Sequence, residues 1–374
     1  MDNKLSKAVL VGIAGSNNAF SLSIYNLKAF VYNDPEIRDQ WDISIIQHPL
    51  INVNRRDIEV LPLIDRIVNA KPDLIGFSCY MWNVNVFDEI AQVLRKRIPK
   101  AKIIWGGSEM SSDYLMQGKF DKLEMDFCVS GEGEVTFQEF LRNQAFGVPD
   151  LSNIPGLAYR QSTSEPFKIN PKREALEILH DVPSPFLTGV VDDEVLLRPK
   201  VEANIETQRG CNLRCSYCTY HKDMDKITYS SLERVVSEVV YLVNKGVKRV
   251  RFVDANFSSD LNYSKEILRA FIQKRFELRL MFELIPGFID EELATLFEEF
   301  SNLHPWNDIT LGVGVQSIKL ETNKAMRRGI KIEKFDQTFE LIKKHNLFAK
   351  IDLIIGLPGE NLVRSEERRV GKEC

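Results

Sequence analysis

Two long stretches of this chain alternate β-branched, apolar runs of strand length with segments of helical period, and few folds accommodate that alternation. In the first stretch, strand-like runs stand at Lys7–Ile13, Trp41–His48, Pro72–Cys79, Ala101–Trp105 and Asp126–Ser130. Helical patterns follow them at Phe20–Tyr32, Arg56–Ala70, Val84–Ile98 and Val135–Arg142. Strands buried on both faces need helices on both sides, so these repeats predict a parallel, doubly wound, flavodoxin-like α/β sheet. Ligands of such sheets sit at the carboxyl ends of the strands. In the second stretch, strands are expected at Glu202–Thr207, Arg249–Asp254, Arg279–Leu284, Ile309–Val315 and Lys350–Ile355. Helices are expected there at Ser230–Asn244, Tyr263–Arg275, Asp290–Phe300 and Ile332–His345. That order is the opening of a (β/α) barrel, with its chemistry at the C-terminal mouth, and it reaches about strand five. Between the stretches, prolines recur from Pro149 to Pro199 and mark a connector with short strands such as Gly156–Arg160. The expected domains are 1–145, a connector 146–200 and a partial barrel 201–363.

Bulk properties narrow the function. At 374 residues the chain exceeds one ordinary core. A net charge of −4 argues against a nucleic-acid binder. No apolar run approaches the roughly 20 residues of a membrane helix. Ala8–Ile13 has the look of a signal-peptide core, but no small-residue cleavage site follows and an amphipathic helix does, so it reads as a buried first strand. Six cysteines, three of them clustered, do not form a secreted disulfide framework and fit a metal site in a reducing, cytoplasmic compartment. The last residues, Arg364 to Cys374, resemble the in-frame translation of a short-read sequencing adapter. They read as a foreign tail rather than as part of the fold.

The sharpest local signal is Glu206-Thr207-Gln208-Arg209-Gly210-Cys211-Asn212-Leu213-Arg214-Cys215-Ser216-Tyr217-Cys218, a C-x3-C-x2-C loop directly after a predicted strand. Three thiolates on one loop can each bind one iron of a cubic cluster and leave the fourth iron open. Two other readings stand beside it. One is a Cys3His zinc site completed by His221, for which a second paired CxxC is missing. The other is a redox CxxC of Cys215 and Cys218, which leaves Cys211 unused.

The cysteine motif closely resembles that of the radical S-adenosylmethionine (SAM) superfamily. The resemblance implies a 4Fe-4S cluster held by Cys211, Cys215 and Cys218, with SAM on the open iron. Reductive cleavage of SAM to methionine and a 5′-deoxyadenosyl radical follows, and Tyr217 lies against the adenine. Further strand ends match in order: Val253-Asp254-Ala255-Asn256-Phe257, Phe282-Glu283, Gly312-Val313-Gly314-Val315-Gln316-Ser317 with Arg327-Arg328 downstream, and Asp352 to Glu360 around Gly356. They nominate Asp254, Asn256, Glu283, Gln316, Ser317, Arg328 and Gly356 as SAM-pocket residues. The bland readings are a capping or rim residue for each lone Glu or Gln, and a solvated side chain for Arg328.

In the first domain, Ser78, Gly106-Gly107 and Gly131-Glu132-Gly133 stand at strand ends, where glycines let backbone approach a bulky ligand. Their order resembles the cobalamin-binding domains fused to radical SAM barrels, with Ser78 hydrogen-bonding the cobalamin tail. The Asp-x-His-x-x-Gly motif of better-known cobalamin domains is absent, so cobalt would lack a protein histidine. A flavodoxin-like domain for another ligand is the alternative. Cys79 and Cys128 read as core residues. Together the resemblances imply a cobalamin-dependent radical SAM enzyme that takes electrons from a flavodoxin or ferredoxin. It would act on a small molecule, by methyl transfer to an unactivated carbon or by cyclisation. A cofactor-binding sensor without catalysis is the reading from a different class.

Overall fold

The computed structural model describes residues 5–16, 18–49, 56–145, 147, 150–220 and 223–359. His221 and the tail from Arg364 to Cys374 lie outside the described residues. The chain divides into two compact units, one running to Asn204 and the other beginning at Ile205. Two short pieces, Lys222–Asp225 and Asn244–Val247, belong to the first unit.

The first unit runs β1 (Ser6–Ile13), α1 (Leu22–Tyr32), α2 (Pro35–Arg38), β2 (Trp41–His48), α3 (Arg56–Ala70), β3 (Leu74–Ser78), α4 (Val84–Arg97), β4 (Lys102–Gly106), α5 (Ser112–Met116), β5 (Phe127–Val129) and α6 (Gly133–Ala145). The connector adds β6 (Leu157–Tyr159), β7 (Lys168–Ile169) and α7 (Asp193–Leu196). The sheet order is β2-β1-β3-β4-β5-β6-β7. Its first five strands are parallel, and β6 and β7 join antiparallel. The order 2-1-3-4-5 is the flavodoxin-like arrangement, with its topological switch point between β1 and β3. The short strand expected at Gly156–Arg160 is β6, and with β7 it extends the sheet edge.

All five residues of β3 are buried, as a strand covered on both faces requires. On one face Phe77 packs against Phe87 of α4 at 4.6 Å and edge-on to Trp105 of β4 at 5.8 Å. Leu63, Ile64 and Ile67 of α3 and Ile90 and Leu94 of α4 complete that layer. Cys79 and Cys128 are wholly buried, as expected of core residues.

The second unit's sheet starts with β8 (Ala203–Ile205), at the point where the chain leaves the first unit. It continues β9 (Gln208–Arg209), β10 (Thr228–Tyr229), α8 (Leu232–Asn244), β11 (Arg249–Phe252), α9 (Leu261–Gln273), β12 (Arg279–Leu284), α10 (Glu291–Asn302), β13 (Asp308–Gln316), α11 (Leu320–Ala325), α12 (Ile332–Lys344) and β14 (Phe348–Leu353). Five strands form one sheet in the order β14-β13-β12-β11-β8, and β11 to β14 pair in parallel. Burial alternates along β11 and β12. One face is a phenylalanine layer, in which Phe282 meets Phe252 at 4.6 Å, Phe257 at 4.2 Å and Phe297 at 5.5 Å. The other face carries Arg251, Met281 and Glu283, half-buried. This is the α/β architecture with parallel sheets that the alternation predicts.

Candidate functional site

The cysteine loop is stapled at its base. Gln208–Arg209 pairs antiparallel with Thr228–Tyr229, so the segment between them forms a closed loop. Gly210 opens it with φ +105°, and a Cβ there would stand 2.4 Å from the Lys226 carbonyl oxygen. Only glycine meets both demands. Arg209 clasps Glu206 through two parallel contacts, Nε to Oε1 at 3.0 Å and Nη2 to Oε2 at 2.7 Å.

Asp254, at the end of β11, holds the same base. Its Oδ1 accepts the Thr207 and Gln208 backbone N–H groups at 2.8 and 3.0 Å, and its Oδ2 meets the Thr207 hydroxyl at 2.7 Å. Burial pushes the Asp254 carboxyl up to about 7 against the opposing pull of these donors. Gln208 in turn donates to the Asn256 carbonyl and accepts from the Ser259 hydroxyl. Asn256 accepts the Ile285 N–H at 3.1 Å and reaches Asn212 of the cysteine loop at 3.5 Å. Asp254 and Asn256 are 1% and 0% exposed. Their polar groups hold the frame under the loop.

Within the loop, Cys215 is buried and Cys211 and Cys218 are half-buried, and none of the three is in a disulfide. Burial first, then the neighbouring Cys218 and Cys215, push the Cys211 thiol above its ordinary range, while the Leu213 N–H and Arg328 act the other way. The three sulfurs and one guanidinium thus share one electrostatic environment. Among the described residues no three His, Cys, Asp or Glu side chains converge on a single metal ion. A cubic cluster asks for less convergence than zinc, because each thiolate binds a different iron.

Arg328 is 4% exposed, not solvated. Its Nη1 lies 3.6 Å from Cys215 Sγ and 2.8 Å from the Tyr217 hydroxyl, and its Nη2 donates to the Gly314 carbonyl. Its Nε is buried with no partner. A buried cation that leans on thiols and keeps an orphaned N–H fits an anionic group at the cysteines. That, with the three-cysteine donor set, is the observation on which a 4Fe-4S cluster fits this site.

The remaining barrel residues gather on the open face and strand ends. Glu283 pairs with Arg251 at 2.6 Å and lies over Gly312, where a Cβ would stand 2.3 Å from its carboxylate. Gln316 ends β13 beyond a register shift at Gly314, with φ +61°, a backbone uncommon outside glycine. Ser317 is fully buried, and Gly356 follows β14 with φ +84° and open space around it. Tyr217 is 39% exposed, its hydroxyl held by Arg328.

In the first unit, Ser78 bonds Ser23 at 2.8 Å beside the switch point. Gly107 has φ +108°, and a Cβ would stand 2.5 Å from the Cys79 carbonyl. Gly106 ends β4, Gly131 has φ +77° and Gly133 opens α6. Glu132 is buried and accepts the Leu176 N–H, which ties it to the connector. At the ends of β1 and β3 the Tyr80 and Trp82 rings stack at 4.5 Å, and Trp82 donates to the Ile13 carbonyl at 3.3 Å. Sequence reasoning gave these two rings no role. Their signal was two aromatics directly after a buried strand, where water would otherwise meet them.

Two separate family models match the chain. Residues 205–367 match the radical SAM superfamily and residues 38–141 the B12 binding domain. The two matches together are those of a radical SAM superfamily barrel preceded by a B12 binding domain. The chain is 28% identical over 350 residues to the cobalamin-dependent radical SAM methyltransferase TokK of Streptomyces tokunonensis, covering 89% of this chain and 48% of that protein. It is 26% identical over 352 residues to the 2-(S-pantetheinyl)-carbapenam-3-carboxylate methyltransferase of Streptantibioticus cattleyicolor, covering 90% and 48%. The chain therefore spans about half the length of these relatives. In fold it is similar to the methyltransferase TsrM of Kitasatospora setae, with TM-score 0.71 at 20% identity over 98% of this chain and 71% of that one. It is likewise similar to the cobalamin-dependent SAM radical enzyme OxsB, with TM-score 0.71 at 16% identity over 94% and 50%.

Proposed function

We propose that this chain is the cofactor-bearing part of a cobalamin-dependent radical SAM enzyme that cleaves SAM reductively and transfers a methyl group to an unactivated carbon of a small molecule. The observation that carries this is the stapled loop of three cysteines outside any disulfide, with a buried arginine against Cys215 whose Nε has no partner. The named methyltransferases among its relatives support the methyl-transfer reading. When bound, the cluster supplies one low-potential electron, SAM the 5′-deoxyadenosyl group and cobalamin a methyl carrier.

The chain's own residues position and shield. Cys211, Cys215 and Cys218 hold the cluster, while Gly210, Asp254, Asn256 and the hairpin fix the loop. Tyr217, Glu283, Gln316, Ser317, Arg328 and Gly356 surround SAM, with Glu283 and Gln316 on the open sheet face. Ser78, Gly106, Gly107, Gly131, Glu132 and Gly133 border the cobalamin site. Dense packing behind both sheets excludes water and oxygen from the reacting groups. The domain reading is part of the same proposal: a cobalamin unit over 1–145, a connector over 146–200, a barrel from 201 that reaches its fifth strand, and a foreign tail from Arg364. So are a cytoplasmic setting and a flavodoxin or ferredoxin as electron donor. Among the described residues no helix is long and apolar enough to cross a membrane.

Anaerobic reconstitution tests the cofactor assignment. The wild type should bind close to four irons and four sulfides per chain by the cluster's own stoichiometry. The Cys211→Ala, Cys215→Ala, Cys218→Ala protein should bind none while keeping its hydroxocobalamin spectrum. Equal iron in both proteins would contradict the assignment.

A further inference from the structure

We propose that Arg328 sets the reduction potential of the cluster, by fixing a positive charge and an N–H donor against Cys215 Sγ. The inference rests on the cluster assignment above and goes beyond it, because it gives one residue control over how readily the electron is accepted.

Arg328 is placed there by the fold. The Ser216 N–H donates to the Met326 carbonyl at 2.9 Å, which latches the segment before Arg328 to the cysteine loop. Arg327 turns with φ +56° and directs the next residue inward. The guanidinium then reaches Cys215 Sγ at 3.6 Å and the Tyr217 hydroxyl at 2.8 Å, and it also bonds the Gly314 carbonyl.

The energetics call for an anion. Arginine keeps its proton in proteins, so this charge cannot be relieved by titration. An unpaired ion taken out of water costs several kcal/mol. Among the described residues its three partners include no carboxylate, and Nε has no partner at all. Three thiolates and the group they bind carry the compensating negative charge. Adding an electron makes that charge more negative, so a fixed cation beside it favours the reduced form. Net charge and hydrogen bonds to the sulfurs are the levers by which a protein tunes such a potential. A SAM carboxylate as the sole counterion would leave the potential without SAM independent of Arg328, and this separates the two roles.

The test is a redox titration of the reconstituted full chain without SAM, followed by electron paramagnetic resonance. The step measured is uptake of one electron from dithionite, with no bond made or broken. Arg328→Met should shift the midpoint to more negative potential by about a tenfold change in the reduction equilibrium, about 59 mV for one electron. Arg328→Lys, which keeps the charge, should recover part of that shift. Tyr217→Phe, which removes a hydroxyl beside Cys215 but no charge, should move the midpoint by much less than Arg328→Met does. A loaded Arg328→Met protein at the wild-type potential would overturn the inference, as would a Tyr217→Phe shift of equal size. If Arg328→Met holds no cluster, Arg328→Gln, which keeps N–H donors but not the charge, replaces it, and an unmoved midpoint there overturns the inference too. No cluster in the wild type overturns the cofactor assignment and this inference with it. A cluster whose potential ignores Arg328 overturns this inference alone.

Discussion

At the scale of single residues, the site depends on polar groups that never meet solvent. Asp254 accepts two backbone N–H groups on Oδ1 and faces the Thr207 hydroxyl with Oδ2. All three contacts donate to the carboxylate and favour its ionised form, but burial outweighs them. A carboxyl raised from its ordinary 3.8 to about 7 binds its proton more tightly in the folded chain than in the unfolded one. Its stabilising effect is complete below pH 3.8 and is lost as pH rises through 7. Asp254→Asn copies the protonated form, since Oδ1 still accepts both N–H groups and Nδ2 donates to the hydroxyl. In urea denaturation monitored on this unit, the variant should lose less stability than wild type between pH 5 and pH 9, by on the order of a few kcal/mol. Parallel pH profiles would refute the account. Asp254→Ala would leave two buried N–H groups unsatisfied, at a cost of about 1–3 kcal/mol for each.

At the scale of elements, the hairpin of β9 and β10 turns a cysteine motif into a site. Gly210→Ala puts a methyl at 2.4 Å from a carbonyl oxygen on a backbone of φ +105°. Left-handed backbone costs an L-residue about 1–2 kcal/mol before the clash is counted. The variant should lower the melting temperature by at least several degrees and cut iron incorporation, measured by calorimetry and iron assay. Wild-type iron content in the variant would show that the hairpin does not fix the loop.

This is also the scale at which the sequence ran short. The long elements were readable from period and patterning, and β2, α3 and β12 keep their expected bounds. The hairpin was not, because two-residue strands separated by 18 residues carry no periodicity. Its one local signal is Gly210 ahead of the first cysteine. Arg328 was nominated by resemblance, and nothing local marks it as buried. Its partners Cys215 and Tyr217 stand 113 and 111 residues earlier, so only the fold brings them together. The short strand expected at Gly156–Arg160 is present as Leu157–Tyr159, but its pairing, and that of Lys168–Ile169, onto the sheet edge is a tertiary fact that no local pattern carries.

At the scale of the whole molecule, each of two α/β units presents the carboxyl ends of parallel strands, where the proposal puts the two cofactors. In a doubly wound sheet and in a barrel alike, strand C-termini and the loops after them are where the backbone is free to meet a ligand. The matching of separate family models to 38–141 and 205–367 follows the same division. The central claim is that the cysteine loop supports radical chemistry on SAM. Its most direct measurement is 5′-deoxyadenosine formed anaerobically by the chain reconstituted with iron, sulfide, SAM, hydroxocobalamin and a strong reductant. The account predicts 5′-deoxyadenosine from the wild type and none from the protein with Cys211, Cys215 and Cys218 replaced by alanine. A fully loaded wild-type cluster that yields no more than that triple variant would contradict it.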